Sequence, residues 1–513
     1  MTVAQYGQLN TTALIVPDLY VQIVPPSVTL LNGLPTNILG VVGTASWGAA
    51  NAPTIVSDMA SYSREFGAIM NRKYDMGTQV AAAVLQGANN FRCVRVTDGT
   101  DAAATGVYQV TGLTLAAKYT GTVGNTVALA IAPGSQNGTW RATVSRPGVV
   151  PEVFDNIGLG LTGNAVWVAI ASAINNGIGG LRSSSRMLTA TAGALTAAPT
   201  AASVTLTGGT DGAGISSSAA LLGVDTVPRT GMYALRNTGA SVAFLADCDD
   251  TTSFSTQVAF GLAEGVYMVG VTPAGDTISA AVTAKATAGI DSYAFKYLFG
   301  DWVYFNDTVN SLTRLISPQG FVAGRLANLA PQNSSLNKPL YGIVGTQKSN
   351  QNLVYSNAEL QLLGQVGIDV ITNPIPAGNM FGVRFGHNSS SNAVVNGDNY
   401  TRMTNYIAYT INAGMGIYVG QLQSAAKRRE AAATLSNFFA GMQQQGMIGN
   451  ADGVSPAFSV QIDNGNNPAN RVALGYMQSD VRVTYLSIIE KFLVNVEGGQ
   501  SVQINRASAQ PLA

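Results

Sequence analysis

The sequence is poor in the residues that most often build disulfides and metal sites. It contains two cysteines, Cys93 and Cys248, in no C-x-x-C spacing, and a single histidine, His387. Two cysteines cannot form a disulfide framework, and the usual zinc sites would lack ligands. We therefore expect no bound metal and no cofactor.

Charge is also scarce. Charged residues make up 11% of the chain, against about 25% in typical globular domains, and 27 basic residues balance 27 acidic ones. Binding of nucleic acid needs a basic surface, so that class of function is excluded. A soluble monomer usually keeps a net charge. A large neutral chain with 57 glycines is instead typical of a subunit whose surface is covered by neighbours in an assembly.

Long apolar runs are missing as well. No run approaches the ~18 consecutive apolar residues of a membrane span. The first basic residue is Arg64, so a secretory leader with its basic start is not expected. These absences predict a protein made in a reducing cytoplasm, with no direct insertion into a membrane.

The length of the chain, 513 residues, exceeds what one hydrophobic core supports, so several domains are expected. Strands that alternate with helices predict α/β units over 36–97 and 221–344. Short alternating segments between Gly, Thr and Asn turns predict a β-rich insertion over 98–214. The first 25 residues are strand-like but interrupted by prolines, which indicates an extended arm.

The stretch 401–499 predicts a compact α+β unit. Apolar residues three and four apart indicate a helix over 403–411, and a second helix is expected over 422–445. A short glycine-flanked apolar run at 415–419 predicts a strand between them. Alternating segments at 458–462 and 481–485 predict two half-buried strands.

One short pattern resembles a catalytic motif. Ser424 and Lys427 fit S-x-x-K, but the Ser-Asp-Asn and Lys-Thr-Gly motifs that accompany it in enzymes are absent. Helix surface is the simpler explanation, and a hydrolase that uses this pair remains an alternative. The sequence contains no other catalytic constellation, so we expect no enzyme and no catalytic residue.

Two further features could bind a ligand or take part in catalysis. Asp247, Asp249 and Asp250 could hold a cation, but an acidic cap at a helix N-terminus explains them more simply. His387 is expected to be a solvated residue ahead of a mobile, Ser- and Asn-rich loop over 388–399. Neither feature predicts a site.

Several sequence blocks occur in a recognisable order. They are the glycine-rich segment 40–48, then 79–84, 93–96, 153–157, 206–212, 317–325, 337–340, the helix from Leu422, and 491–496. In this order they resemble the contractile-tail sheath proteins of bacteriophages over nearly the whole chain. Two places depart from that family's pattern. Residues 381–385 lack the usual Trp-Gly-x-Arg-Thr, and Arg402 is followed by Met403 instead of a second arginine.

The resemblance implies an α+β and α/β multidomain fold, with mixed-sheet core domains, a β-rich inserted outer domain and extended terminal arms. The implied parts are an N-terminal arm (1–25), a first α/β segment (26–97), the inserted domain (98–214), a middle α/β domain (215–345), a C-terminal inner domain facing the tube (346–490) and a C-terminal strand arm (491–513).

The resemblance also implies a structural function in a virion tail, after assembly in the host cytoplasm. Many copies would wrap a tail tube as a six-start helix of stacked hexameric rings, in a metastable extended lattice. Contraction of that lattice would drive the tube through the host cell envelope. The implied partners are further copies of the chain, the tail tube protein, and the baseplate and tail terminator proteins, without nucleic acid.

Exchange of terminal strands between subunits would hold such a lattice together while other interfaces repack. The expected N-terminal exchange residues are Leu14, Val16, Tyr20, Val21 and Ile23. The expected C-terminal ones are Phe492, Val494, Val496, Val502 and Ile504. The alternative is that both ends pair within their own subunit.

Contacts with the tube are expected from Lys427, Arg428 and Arg429, although a solvated helix face explains these residues as well. Other functions remain open. A tail tube or other passive virion component would explain the neutral composition, but not the length or the α/β units. The sheath of a phage-tail-like bacteriocin or of a secretion-type contractile injection system is mechanically equivalent, and the sequence does not separate it from a phage sheath.

Overall fold

The computed structural model describes residues 5–6, 22–23, 31–494 and 496. The strands are β1 (Gln5–Tyr6), β2 (Gln22–Ile23), β3 (Leu39–Gly43), β4 (Thr54–Val56), β5 (Phe91–Arg95), β6 (Ala103–Tyr108), β7 (Leu113–Thr120), β8 (Ala128–Pro133), β9 (Trp140–Arg146), β10 (Val149–Ile157), β11 (Leu188–Ala192), β12 (Ala202–Thr205), β13 (Val242–Leu245), β14 (Tyr267–Val271), β15 (Phe295–Leu298), β16 (Val303–Asp307), β17 (Leu312–Ile316), β18 (Ile343–Thr346), β19 (Ile371–Thr372), β20 (Gly382–Val383), β21 (Phe458–Gln461) and β22 (Asp480–Val483). The helices are α1 (Met59–Phe66), α2 (Met76–Leu85), α3 (Asn164–Asn176), α4 (Ala219–Leu222), α5 (Phe254–Glu264), α6 (Ile278–Thr287), α7 (Gln319–Asn328), α8 (Asn357–Gln365), α9 (Asp398–Met415), α10 (Ala425–Gln444) and α11 (Ala469–Ala473).

A six-stranded sheet, in the order β15-β14-β13-β3-β5-β4, forms the centre of the molecule. Neighbouring strands are parallel except for β4 and β5. Every residue of β3, β13, β14 and β15 is buried, which is the pattern of a parallel sheet covered on both faces. The two α/β units predicted as separate stretches therefore share one sheet, because β3 pairs with β13 along four residues.

Helices α2 and α7 pack closely beside this sheet. A Cβ atom at Gly324 of α7 would lie 2.5 Å from the Cα atom of Ala83 in α2, which is inside van der Waals contact. Only glycine at this position allows the two helix backbones to approach so closely. Helix α7 lies between Pro318 and Pro331 and is buried along most of its length.

The insertion between β5 and β13 is β-rich and has a hydrophobic core of its own. Its sheets have the orders β10-β9-β8-β12 and β11-β7-β6, and α3 packs over them. The core includes Trp167, Phe154 and Leu115, which are fully buried. Trp47 of the sheet region also packs against this core. The insertion is therefore a separate layer that remains joined to the central sheet.

A charged junction holds the insertion to the sheet region. The guanidinium of Arg95 donates to the carbonyl oxygens of Thr120 at 2.7 Å and Asp211 at 3.0 Å. Arg72 lies 2.6 Å from the carboxylate of Asp211 and 3.7 Å from that of Asp75. Backbone and side-chain bonds thus connect both ends of the insertion to the body.

β15 and β16 follow each other closely along the chain but belong to different sheets. β15 belongs to the central sheet, whereas β16 pairs with β17 and β18 in a separate three-stranded sheet. Residues 299–302 separate the two strands, and the indole N–H of Trp302 donates to the carbonyl of Thr272 at 3.0 Å. The chain therefore changes sheet at this point.

The C-terminal region is built from α9, α10 and the hairpin of β21 and β22. Its core includes Met403, Leu435, Phe438 and Phe439, so the predicted helical faces are the buried ones. The strand predicted at 415–419 is wrong. Residues of that stretch end α9 and form a 3₁₀ turn over Gly416–Tyr418, because a short apolar run does not distinguish a strand from the end of a buried helix.

Candidate functional site

Among the described residues, no group of three His, Cys, Asp or Glu side chains could hold a metal ion. The acidic cluster serves the fold instead. Asp250 accepts a hydrogen bond from the amide of Thr252 at 3.0 Å as a helix cap. Asp249 pairs with Lys73 at 2.8 Å. The buried Asp247 accepts from Gln79 at 2.8 Å.

The S-x-x-K pattern is a helix cap. The hydroxyl oxygen of Ser424 accepts a hydrogen bond from the amide of Lys427 at 3.2 Å at the start of α10. The ammonium of Lys427 lies 2.8 Å from Glu430 and makes no hydrogen bond with Ser424. The structure thus assigns this pair a local role in the helix.

His387 is not the solvated residue that was expected. Its side chain is 14% exposed, and its Nε2 lies 2.8 Å from Glu490. The loop over 388–399 also differs from the expectation at its start. Asn388 and Ser389 are fully buried, and the Asn388 amide group donates to the carbonyl of Val395 at 2.7 Å. Polar composition indicated a loop, but these polar groups are satisfied inside the protein.

A buried ionic cluster was not predicted from the sequence. The ammonium of Lys296 in β15 lies 2.8 Å from Asp369 and 3.0 Å from Asp398, and all three side chains are fully buried. Burial opposes the charge on Lys296, but the two carboxylates outweigh it and hold the pKa of Lys296 above its ordinary value. Burial likewise opposes the charge on Asp398, and Lys296 and neighbouring hydroxyls lower the pKa of Asp398 below its ordinary value. The only signal in the sequence was a lysine inside an apolar strand.

The expected N-terminal exchange residues fall mostly outside the described residues. Leu14, Val16, Tyr20 and Val21 lie there. Ile23 belongs to β2, which pairs in parallel with β1 of the same chain, Tyr6 facing Ile23. This two-stranded pair joins no other strand in the described part of the chain.

The expected C-terminal exchange residues include an exposed apolar segment. Phe492 is 85% exposed, Val494 60% and Val496 86%. Val502 and Ile504 lie outside the described residues. Leu493, which lies between Phe492 and Val494, is 84% exposed. Four large apolar side chains close together on the surface are unusual for a monomer.

The hairpin of β21 and β22 offers a place for a further strand. Its two strands pair with each other from Phe458↔Val483 to Gln461↔Asp480. Within the described ranges neither strand has a second neighbour, so the outer edge of each has backbone groups that no other strand engages. A two-stranded sheet of this length is marginally stable alone, and strand addition would extend it.

A groove of about 900 Å³ runs beside this hairpin. It is lined by apolar side chains from α9, α10 and β22, among them Met415, Leu435 and Val481. At its rim Val419 is 85% exposed and Leu422 is 92% exposed. An open sheet edge and an apolar groove therefore lie on the same domain.

The basic residues of α10 are partly neutralised. Lys427 pairs with Glu430 at 2.8 Å. Hydrogen bonds, first of all from Gln461, lower the pKa of Asp463, and the charge of nearby Arg428 lowers it further. Arg429 is exposed, and its Nε donates to the carbonyl of Ala425 at 3.3 Å. The helix start is thus a weakly basic surface.

None of the helices described is long and apolar enough to cross a membrane. No model of a protein family matches the sequence, and no curated protein matches it.

Solved structures, in contrast, match the fold over most of the chain. The sheath tail protein from Desulfitobacterium hafniense matches with a TM-score of 0.55 at 16% identity, over 87% of this chain and 94% of that one. The sheath tail protein from Listeria innocua gives a TM-score of 0.58 at 16% identity, over 83% and 89%. The PVC sheath of an extracellular contractile injection system in its contracted state gives 0.54 at 12% identity, over 96% and 99%. This chain therefore has the multidomain α+β fold of contractile tail sheath proteins.

Proposed function

We propose that this protein is a structural subunit of a contractile sheath. The observation that carries the proposal is a sheath fold with a hairpin that has open edges, followed along the chain by exposed apolar residues at 492–494 and 496. A fold alone does not define a function. Here the fold carries exposed apolar surfaces that an assembly would cover, and the low charge of the chain suits a subunit packed among copies of itself.

In the proposed sheath, terminal arms pass between subunits. The tail around Phe492 and Val494 adds to the hairpin of a neighbouring copy, and its apolar side chains enter the groove beside it. Leu14, Val16, Tyr20, Val21 and Ile23 do the same from the N-terminal arm. Main-chain hydrogen bonds then act as tethers that persist while side-chain interfaces repack during contraction.

The domains have distinct positions in this proposal. The β-rich insertion faces outward, the C-terminal region faces a tail tube, and the central sheet region lies between them. Lys427, Arg428 and Arg429 form weak polar contacts with the tube, which suits an interface that must release. Subunits stack as hexameric rings in a six-start helix, extended and metastable before contraction, with a baseplate at one end and a terminator at the other. Neither an active site nor a cofactor is needed.

Two kinds of particle fit this proposal. One is a bacteriophage tail that delivers a genome into a host cell. The other is a phage-tail-like injection system, and solved sheaths from that class also match this fold, with TM-scores of 0.54 against 0.55 and 0.58 for the sheath tail proteins. Mechanically the two are equivalent, because both contract around a tube.

The test is electron microscopy of the purified full-length protein beside a variant that lacks residues 1–24. Hollow striated tubes from the full chain, and only rings or monomers from the variant, are expected. Leu181→Ser is the matched control, because Leu181 is 87% exposed on the insertion and its loss should leave the tubes intact. A stable monomer in every preparation, even with tube and baseplate supplied, would contradict the proposal.

A further inference from the structure

The single histidine of the chain contacts the segment that leads into the C-terminal tail. After β22, Thr484 still donates from its amide to the carbonyl of Ala457 at 2.8 Å. Residues 485–490 then run without secondary structure across the surface formed by residues 386–400. Nε2 of His387 lies 2.8 Å from a carboxylate oxygen of Glu490, immediately before the exposed tail begins.

The start of this segment is also held. The hydroxyl groups of Tyr485 and Thr404 are 3.2 Å apart, and the ring of Tyr485 packs edge-on against that of Tyr400, with centroids 5.8 Å apart. Between these contacts and Glu490, Ile489 is 79% exposed. The segment is therefore fixed at its two ends, near Tyr485 and at Glu490.

The backbone at His387 is held rigidly by the buried ionic cluster. The carboxylate of Asp369 accepts hydrogen bonds from the amides of Phe385 at 3.0 Å, Gly386 at 2.9 Å and His387 at 3.2 Å. The ammonium of Lys296 donates to the carbonyl of His387 at 3.0 Å. A fully buried ion pair thus immobilises both backbone groups of this residue.

The imidazole is oriented as well as anchored. Its ring lies nearly parallel to that of Phe385, with centroids 6.2 Å apart and planes 28° apart. A carboxylate accepts hydrogen bonds, so Nε2 carries a proton and donates a hydrogen bond to Glu490. A fixed donor therefore faces the last residue before the tail.

We propose that His387 is a positioning residue that fastens the C-terminal tail at Glu490 and so sets the point where the tail leaves the subunit. The role of His387 in setting this point rests on the proposed function, in which the arms are exchanged with a second copy of the chain. If the contact opened while Tyr485 stayed in place, the five residues 486–490 would add about 17 Å of extended chain. A tether with that much slack would no longer fix the distance between neighbouring subunits.

Trypsin reports the state of this contact in the free subunit, because Lys491 follows Glu490 directly. A protease needs several residues on both sides of the cleaved bond in an open conformation, so cleavage after Lys491 tracks release of the segment. We expect His387→Ala to accelerate this cleavage about two- to tenfold, the range for loss of one hydrogen bond. His387→Gln keeps an N–H donor and should restore slow cleavage. Cleavage after Arg229, in a distant loop, serves as the control and should not change.

A second background tests whether His387 acts through Glu490. In Glu490→Ala protein, the further change His387→Ala should leave the cleavage rate unaltered, because the contact is already lost. Continued acceleration in that background, or equal acceleration at Arg229, would overturn the proposal. So would an unchanged rate in the single His387→Ala variant.

Cleavage of a Glu490 variant provides a test that does not depend on the folding of His387 variants. Glu490 is 42% exposed, so Glu490→Ala should fold normally, and trypsin should cleave it after Lys491 about two- to tenfold faster than the wild-type chain. An unchanged rate there would overturn the proposal. If the protein forms striated tubes but cleavage after Lys491 is unchanged in the variants, the role of His387 is rejected and the sheath function is kept. If cleavage is faster in the variants but the protein never assembles, the role of His387 is kept and the sheath function is rejected.

Discussion

Lys296 and Phe492 lie in two regions of this chain that differ in which side chains they bury and which they expose. The charged Lys296 is fully buried in the central sheet between two carboxylates. The apolar Phe492 is 85% exposed in the C-terminal tail. Each is the reverse of the usual preference, which keeps lysine outside and phenylalanine inside.

The difference indicates which region is complete in a single subunit. In the sheet region the buried Lys296 has both of its ionic partners within the same chain. The buried charges of that region are therefore paired once the single chain has folded. Among the described residues, the side chains of the tail have no such cover, since Leu493 and Val496 are also more than four-fifths exposed. In the proposed sheath, a second copy of the chain would supply the partners that the tail lacks within the described residues.

The largest effect on the stability of the subunit is expected from removing the buried charge of Lys296 in the central sheet. Lys296→Met removes the cation and leaves Asp369 and Asp398 buried without their partner. Loss of one member of a buried ion pair lowers the free energy of unfolding by about 3–5 kcal/mol. Thermal denaturation followed by tryptophan fluorescence would measure it. Lys73→Met is the control, because Lys73 is 47% exposed beside Asp249 and should change stability by about 0–1 kcal/mol. Equal losses in both variants would contradict the comparison.

A pH-dependent effect is expected at the junction of the insertion. Burial raises the pKa of Asp75 to about 6 from an ordinary 3.8, and hydrogen bonds and Arg72 offset this only partly. Between pH 3.8 and about 6, Asp75 keeps its proton in the native state but has released it in the unfolded state. The stabilisation that protonated Asp75 gives to the native state is therefore lost as pH rises through this range.

Asp75→Asn removes that dependence. The free energy of unfolding of the variant, relative to the wild-type chain, should rise by about 2–3 kcal/mol between pH 4 and pH 7. Urea denaturation across this range would measure the difference. Parallel stability profiles for the two proteins would show that Asp75 does not titrate in this way.

The sequence predicted the elements well where periodicity was long. The helices over 403–411 and 422–445 appear within α9 and α10, and the two alternating segments after them pair as β21 and β22. A long amphipathic pattern defines both the element and its buried face. The short run at 415–419 failed because five apolar residues fit a strand and a helix end equally well.

Features that depend on distant partners could not be predicted in this way. Lys296 lies 73 residues from Asp369 and 102 from Asp398 along the chain, so no local pattern joins them. His387 and Glu490 are separated by 103 residues. Ordered sequence blocks indicated the fold as a whole, but only the folded chain shows which polar groups meet.

A smaller effect on stability, with a large effect on assembly, is expected in the tail. The double variant Phe492→Ser with Val494→Ser should change the free energy of unfolding of the subunit by less than about 0.5 kcal/mol, because both side chains are exposed. Formation of striated tubes should fail in the same protein. Val110→Ser is the control, since Val110 is 82% exposed on the insertion. A clear loss of thermal stability in the double variant would show that the tail packs on its own subunit.

The smallest effect on stability is expected from reversing the charges at the start of α10. Lys427, Arg428 and Arg429 changed together to Glu should leave tubes of the sheath protein unaltered, because these side chains lie on the surface of their own subunit. Binding of the variant to a tail tube should be weaker than that of the wild-type chain at low ionic strength. The difference should be smaller at high salt, because the screening length falls from about 10 Å at 0.1 M to about 3 Å at 1 M. Co-sedimentation of sheath and tube at two salt concentrations would measure this. Binding that is unchanged at both concentrations would mean that α10 meets solvent, and that the tube contacts another face of the C-terminal region.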